Sequence, residues 1–395
     1  MPQVYVQSCS KTSHIALLEQ GEVCELYSHA IDAPQILSNV YRGKVTRVLP
    51  DMQAAFIDIG LQRPGFLHQR HLINNSVAID RQLHQGQSIL VQVSKEPRGH
   101  GDTAKGAALT ADIKLVAQSL AWLPLQTESK VVTSKKFSAK EVEAVSGLLA
   151  RLASHLEHGV LIVRSCVLDK LDGLRLDQAR VNRIVQELSG LQQRWHSALQ
   201  NKARAPVLLM QGVPFVYRLA SDSQSEILWD DQTSKVAIKT EEDQQLLCAA
   251  FGESMLSTLE QTVFRQKLHK ARHTAEQRII KLENGGRIVI DYTEAMTVID
   301  VDTAAATVVK NAHQQTNLLA ASEIARQIRL RDISGVVIVD FIDVTEQQRG
   351  ELLKHTKQQL RRDRAVTTCE ANSSLGLFEI TRQGLAAGAR HRVNV

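Results

Sequence analysis

Apolar and polar residues alternate through the N-terminal part of the chain, the period of half-buried strands. VYVQSC and HIALLEQ, with Gly21 and Pro34 as breaks, predict two or three short strands over residues 1–35, too few to fold alone. From Ile36 the strands crowd together: VYRGKVTRVL, AAFIDIG, PGFLH and SILVQVSKE follow one another with Gly60, Pro64-Gly65 and Gly86 between them, the pattern of a small barrel. Residues 111–205 change to helical spacing at Val142 to Leu156 and Asn182 to Leu199, around the strand GVLIVRSC, and a second α/β unit starts at Pro206. From about Thr274 a helix leads into the strands IVIDY, MTVIDVDT and VVIVDFIDV, separated by predicted helices 315–331 and 346–363.

The last of these segments carries the sharpest chemistry. Two strongly apolar strands each run into carboxylates, TVIDVD with Asp300 and Asp302, and VIVDFID with Asp340 and Asp343. At a period of two, Asp300 and Asp302 share a face, while Asp340 and Asp343 point apart, so only one of the latter joins the first pair. In open α/β sheets ligands gather at the carboxyl ends of strands. Clustered carboxylates repel, and a hard divalent cation such as Mg²⁺ relieves the repulsion, the arrangement that phosphodiester hydrolysis uses. The competing structural reading has Asp300 and Asp340 capping loops or pairing with Arg326, Arg329 or Arg331.

The barrel segment offers the complement of single-stranded nucleic acid, aromatic rings for bases and cations for phosphates. Phe56 and Phe66 occupy the same relative place in adjacent strands, with Tyr41, Lys44, Arg42, Arg47, Arg63 and His68 nearby; their ordinary alternative is core packing. The net charge of +5 is too small for polyanion binding by the whole chain, but residues 36–110 hold nine Lys and Arg against five Asp and Glu. A second basic stretch, Arg265 to Lys281, is read as a solvated helix, with an RNA-contacting face as the alternative. Arg164 and Ser165, after the strand GVLIV, suit a phosphate, or are an ordinary strand-to-loop transition.

Composition, with 43% hydrophobic and 23% charged residues, is that of a globular protein of several domains, and no apolar run nears the roughly 20 residues of a membrane helix. The N-terminus lacks a secretory signal, so the cytoplasm is the expected compartment. Cys9, Cys24, Cys166, Cys248 and Cys369 are scattered with no C-x-x-C pair, as expected of reduced thiols.

Together these segments resemble the catalytic region of the bacterial ribonuclease E/G family. The resemblance rests on YRGKVTRVLPDMQAAFIDIG, PGFLH, KGAALT, GVLIVRS, IVIDYTEAMTVIDVDT, EIARQIRLRDISGVVIVDFIDV and LGLFEITRQ, in that order along nearly the whole chain. It implies a multidomain α+β protein: an RNase H-like subdomain (1–35 with 206–273), an inserted S1-type (OB) barrel (36–115), a 5′-sensor-like subdomain (116–205) and a DNase I-like α/β catalytic subdomain (274–395). It further implies Mg²⁺-dependent endoribonuclease action on single-stranded RNA, with Mn²⁺ as a possible substitute. Asp300 and Asp340 fall on the family's magnesium ligands, and Asp302 stands where the family usually has a catalytic Asn. Phe56 and Phe66 match stacking aromatics, Lys105 opens an RNA-binding motif, and Arg164 with Ser165 match an Arg-Thr pair that holds a 5′ phosphate.

Four departures bear on these expectations. Asp302 adds charge and removes an amide donor. AAATVVKNAHQQTN is shorter than its counterpart, and Val366 replaces a basic residue, which puts 5′-end sensing in question. No C-x-x-C follows LGLFEITRQ, so the expected state is a monomer or a dimer not linked by zinc. The runner-up function is a non-catalytic single-stranded RNA-binding paralogue, and a DNA nuclease stands third.

Overall fold

The computed structural model describes residues 2–9, 12–30, 35–97, 105–135, 137–170, 177–223, 225–229, 258–303, 312–371 and 375–384. It divides into two compact units, Met1–Ala33 with Asp222–Val395, and Pro34–Ser221. Among the described residues no helix is long and apolar enough to cross a membrane.

In the first unit, β1 (Gln3–Cys9), β2 (Thr12–Glu19) and β3 (Glu22–Ala30) form an antiparallel meander, extended beside β1 by a parallel strand, β14 (Glu226–Trp229). The basic stretch from Arg265 lies largely in helix α5 (Thr258–Glu276), which packs Leu268, Ala271 and Ala275 on Tyr5, Ala16, Leu18 and Leu26. The helical spacing does not continue to Ile279 and Ile280, which belong to strand β15 (Ile279–Lys281).

The same unit ends in a six-stranded sheet, β15, β16 (Arg287–Tyr292), β17 (Met296–Asp302), β18 (Gly335–Asp340), β20 (Phe378–Arg382) and β19 (Thr367–Glu370), in that spatial order. Only β17 and β18 run parallel, joined through helix α6 (Ala312–Leu330). Helix α7 (Glu346–Leu360) follows, its start fixed by a capping box between Thr345 and Gln348. Alternate residues Ile288, Ile290, Ile299, Val301, Val337, Val339, Phe378 and Ile380 are buried with Ile324, Ile328, Leu352 and Leu360 of the two helices. The other sheet face carries Asp300 and Asp340 exposed, with Val298 and Ile338 half-buried.

A buried charge network ties β3 to this layer. Glu25, with no exposed surface, receives Arg364 Nη2 at 2.8 Å, Arg329 Nη2 at 3.2 Å and the Tyr27 hydroxyl at 2.7 Å. The Arg329 guanidinium also reaches Glu19 at 2.6 Å.

The second unit opens with the barrel. Strands β4 (Val40–Leu49), β5 (Ala54–Asp58), β6 (Gly65–His68), β8 (Ala108–Thr110) and β7 (Ser88–Lys95) close on themselves through the β4–β7 pairing. The fifth strand, β8, is three residues long, too short to show a period in sequence. Val45, Ile57, Leu67, Val91, Val93 and Leu109 fill the interior. Gly106, in the turn before β8, is obligatory: a Cβ there would lie 2.1 Å from the Pro64 carbonyl oxygen.

Beyond the barrel, β9 (Leu115–Val116), β10 (Leu120–Leu123), β12 (Val160–Val163) and β11 (Lys130–Thr133) form a small mixed sheet. Helices α1 (Ala139–Ala144), α2 (Ser146–His155) and α3 (Gln178–Gln200) accompany it, and their Leu148, Leu152, Ile184, Leu188 and Trp195 share a core with Trp122 and Leu161. Strand β13 (Val207–Met210) returns to pair with β4, and helix α4 (Phe215–Ser223) closes the unit.

Candidate active site

The register of the two parallel strands builds the site. Asp300 of β17 and Asp340 of β18 are Cα partners, so their side chains leave the same face side by side at the carboxyl ends of both strands. Together with Val301, Asp302, Thr303, Phe341, Ile342 and Asp343 they line an open cleft of about 400 Å³. The Asp300 carboxyl is held above the usual range, first by burial and then by the negative charges of Asp340 and Asp302, which the Arg287 charge and the Val301 amide only partly offset.

Asp343 lines this cleft as well, contrary to the alternation expected of it. The strand ends at Asp340, and the two-residue period ends with it. The turn that follows is clamped by the buried Asn317 of α6, whose Nδ2 donates to the Ile342 carbonyl at 2.7 Å and whose Oδ1 accepts from the Ile342 amide at 3.0 Å. Its neighbour Thr316, with no exposed surface, accepts a 2.8 Å hydrogen bond from Asn284, which in turn receives the Gly286 amide. Two adjacent polar side chains of one helix thus fix the turns on both sides of the acids. Asn317 gives no sign in sequence except a polar residue at a core-facing position.

Asp302 is held by Arg287, its cross-strand partner on β16, whose Nε and Nη2 donate to Oδ2 at 3.0 and 2.7 Å. The arginines named as competitors are engaged elsewhere: Arg326 with Glu323, Arg329 with Glu19 and Glu25, Arg331 with Gln327 and the carbonyls of Thr274 and Gln277.

The chemistry of this donor set fits a hard divalent cation. The ligands are carboxylate oxygens, their mutual repulsion falls when a cation lies among them, and the cleft is open to water. Among the described residues no three His, Cys, Asp or Glu side chains converge into a cage. A pair of acids is what Mg²⁺, which keeps several of its waters, requires. Most of AAATVVKNAHQQTN, residues 304–311, lies outside the described residues.

In the barrel, Phe56 and Phe66 are Cα partners on β5 and β6, both half-buried, with ring centroids 5.8 Å apart and planes at 65°. A bulge between Val45 and Arg47 sets the exposed Arg47 opposite Phe56, and Lys44 and Lys105 are exposed. Tyr41 departs from the expected RNA-binding role. At 5% exposure it is part of the barrel core, because β4 turns that side inward; its hydroxyl accepts from Asn39 at 3.3 Å.

Arg164 follows β12, with its Nη1 at 2.9 and 3.1 Å from the carbonyls of Ala117 and Gln118 and 2.5 Å from the Ser221 hydroxyl. Ser165 starts a 3-10 turn. Glu187 of α3 caps the same loop, accepting from the Ser119 amide and hydroxyl at 2.8 and 3.0 Å. Burial raises its carboxyl above the usual range, against the opposing pull of Ser119, Arg164 and Arg183.

Comparison with known proteins gives this geometry its context. Over nearly the whole chain it is similar to ribonuclease G of Haemophilus influenzae, at 30% identity over 96% of this chain and 79% of that protein. Ribonuclease G of Escherichia coli is 30% identical over 98% of this chain and 81% of its own length. Ribonuclease E of Haemophilus influenzae is 32% identical over 98% of this chain but only 42% of that longer protein. The family model described as the ribonuclease E/G family matches residues 115–385, which include the small mixed sheet and the whole carboxylate site, and the chain belongs to that family.

Proposed function

We propose that the chain is an endoribonuclease that cleaves single-stranded RNA in RNA maturation or turnover, with Asp300 and Asp340 holding Mg²⁺, or Mn²⁺ in its place. The observation that carries this reading is the in-register pair of acids at the carboxyl ends of the two parallel strands, where burial and then the Asp340 charge hold the Asp300 carboxyl above the usual range. A cation bound there supplies a polarised water and offsets charge developing on the phosphate oxygens. The chain's own residues orient the site: Thr316 and Asn317 lock the flanking turns, and Arg287 steadies Asp302. The half-buried Phe56 and Phe66, with Lys44, Arg47 and Lys105, form the stacking and phosphate-contacting surface for RNA.

The finer division is part of the same proposal: a DNase I-like subdomain over 274–395, an S1-type barrel over 36–115, a 5′-sensor-like subdomain over 116–205, and an RNase H-like subdomain from 1–35 with 206–273. The segment 230–257 of the last lies outside the described residues. Nη1 of Arg164 is placed against two carbonyls and a hydroxyl, contacts with which a 5′ phosphate at Arg164 and Ser165 would compete.

The test is incubation with matched 5′-monophosphate and 5′-hydroxyl single-stranded RNAs in Mg²⁺ or EDTA. Internal cleavage that needs Mg²⁺, and that Asp300→Asn and Asp340→Asn abolish while RNA still binds, is the expected result; cleavage unchanged in both variants overturns it. The second reading, a non-catalytic RNA-binding protein, draws on the carboxylate at position 302, and intact RNA in every lane together with a gel shift would select it.

A further inference from the structure

The acid at position 302 places a further carboxylate within two residues of Asp300, on the same strand face and beside the same cleft. Four acids lining one cleft, Asp343 included, would repel a phosphodiester as strongly as they attract a cation. Among the described residues, Arg287 answers the charge of Asp302. Arg287 lies directly opposite Asp302 in the β16–β17 ladder, and both its Nε and Nη2 converge on one carboxylate oxygen. The backbone on each side of Arg287 is itself fixed, by the Asn284 turn bonded to Thr316 before it and by strand pairing after it. The guanidinium is therefore delivered to Asp302 by register.

We propose that Arg287 is a positioning residue of the carboxylate site, a built-in counter-charge that cancels Asp302 and holds it at the cleft edge, so that a phosphodiester can approach Asp300 and Asp340. The inference rests on the RNA-cleaving reading for the identity of the ligand, but its core, a charge-compensated pair, is testable without turnover.

Opposite signs distinguish this role from a merely structural one. With Arg287→Ser the site becomes one unit more negative. Mn²⁺ affinity, read by electron paramagnetic resonance of the free ion, should then rise about three- to tenfold. Affinity for a non-cleavable 2′-O-methyl single-stranded RNA in Mg²⁺ should fall by a similar factor. Both partners of the pair are 37–45% exposed, which keeps the factors modest. The double variant Arg287→Ser/Asp302→Asn removes both charges and should return Mn²⁺ and RNA affinity to within about twofold of the starting protein, a non-additivity that only coupled residues show. In the cleavage assay Arg287→Ser should raise KM more than it lowers kcat.

Loss of Mn²⁺ and RNA affinity together, or a double variant no better than Arg287→Ser in a chain that still melts cooperatively, overturns the proposal. If Arg287→Ser shifts Mn²⁺ affinity upward and the double variant restores it, yet no RNA is cleaved by any form, the pair stands and the nuclease reading falls.

Discussion

Replacing Asp340 by Asn should make the protein more stable and less able to gain from a divalent cation. Adjacent strands lie about 4.8 Å apart, so carboxylates on in-register partners sit at about 6 Å. Their repulsion is then about 2.8 kcal/mol at an effective dielectric of 20 and about 0.7 kcal/mol in bulk water. Both side chains are exposed, which puts the true value near the lower figure, about 1 kcal/mol. In EDTA, Asp340→Asn should therefore melt about 2–4 °C above the parent protein. With Mg²⁺ the order should reverse, because the parent gains roughly 2.7 kcal/mol at a concentration 100 times Kd and the variant gains much less. The assay is a thermal melt of both proteins in EDTA and across an Mg²⁺ series, with Ca²⁺ as a second hard cation. A variant that melts at or below the parent in EDTA, or that gains as much from Mg²⁺, would refute the reasoning that the paired acids store repulsion for a cation to relieve.

Glu25→Gln should destabilise the fold by about 2–4 kcal/mol, since it removes the buried carboxylate that Arg329 and Arg364 share and leaves them only the more exposed Glu19 and Asp222; a urea-melt loss under 1 kcal/mol would contradict this. Burial pushes the Glu25 carboxyl up, but the Arg364 and Arg329 charges and the Tyr27 hydroxyl outweigh it and hold it below the usual range. Its folded value is thus lower than its unfolded one, so its contribution is complete above about pH 4.5 and is lost as pH falls through the depressed value; the parent should show an acid-side stability loss that Glu25→Gln lacks. Phe56→Ala/Phe66→Ala should weaken single-stranded RNA binding by about 1–3 kcal/mol per stacked base, while Tyr41→Phe, a change inside the core, should leave it unaltered in a fluorescence-anisotropy titration. Asn317→Ala should lower kcat by about tenfold or more with a smaller change in KM, because it frees the turn carrying Asp343.

Strands with a full period were legible from residues alone. The β17 and β18 segments alternate buried Ile299, Val301, Val337 and Val339 with outward residues, and the predicted helices 315–331 and 346–363 match α6 and α7 to within three residues. Short pieces were not. A three-residue strand such as β8 cannot show a period, and its place is set by Gly106 at the Pro64 carbonyl and by pairing with β6 and β7. The extension of the basic helix past Glu276 failed for a related reason: Ile279 and Ile280 continue a helical spacing by coincidence, while the β16 ladder claims their backbone.

The site divides along the same line. Asp300 and Asp340 stand out in sequence because apolar strands seldom end in acids, and that signal survives without knowledge of pairing. Which groups answer their charge depends on register, and register is a long-range property. Arg287 is fifteen residues from Asp302, and no local spacing links them; the arginines that a plain reading offers, Arg326, Arg329 and Arg331, belong to the crossover helix and its end, engaged away from the acids. The same holds for Tyr41, whose neighbours Arg42 and Lys44 suggest a nucleic-acid surface until the strand's inward side is known. An acidic strand end thus marks a candidate site from its own residues, whereas the counter-charge that faces Asp302 there is specified by the neighbouring strand.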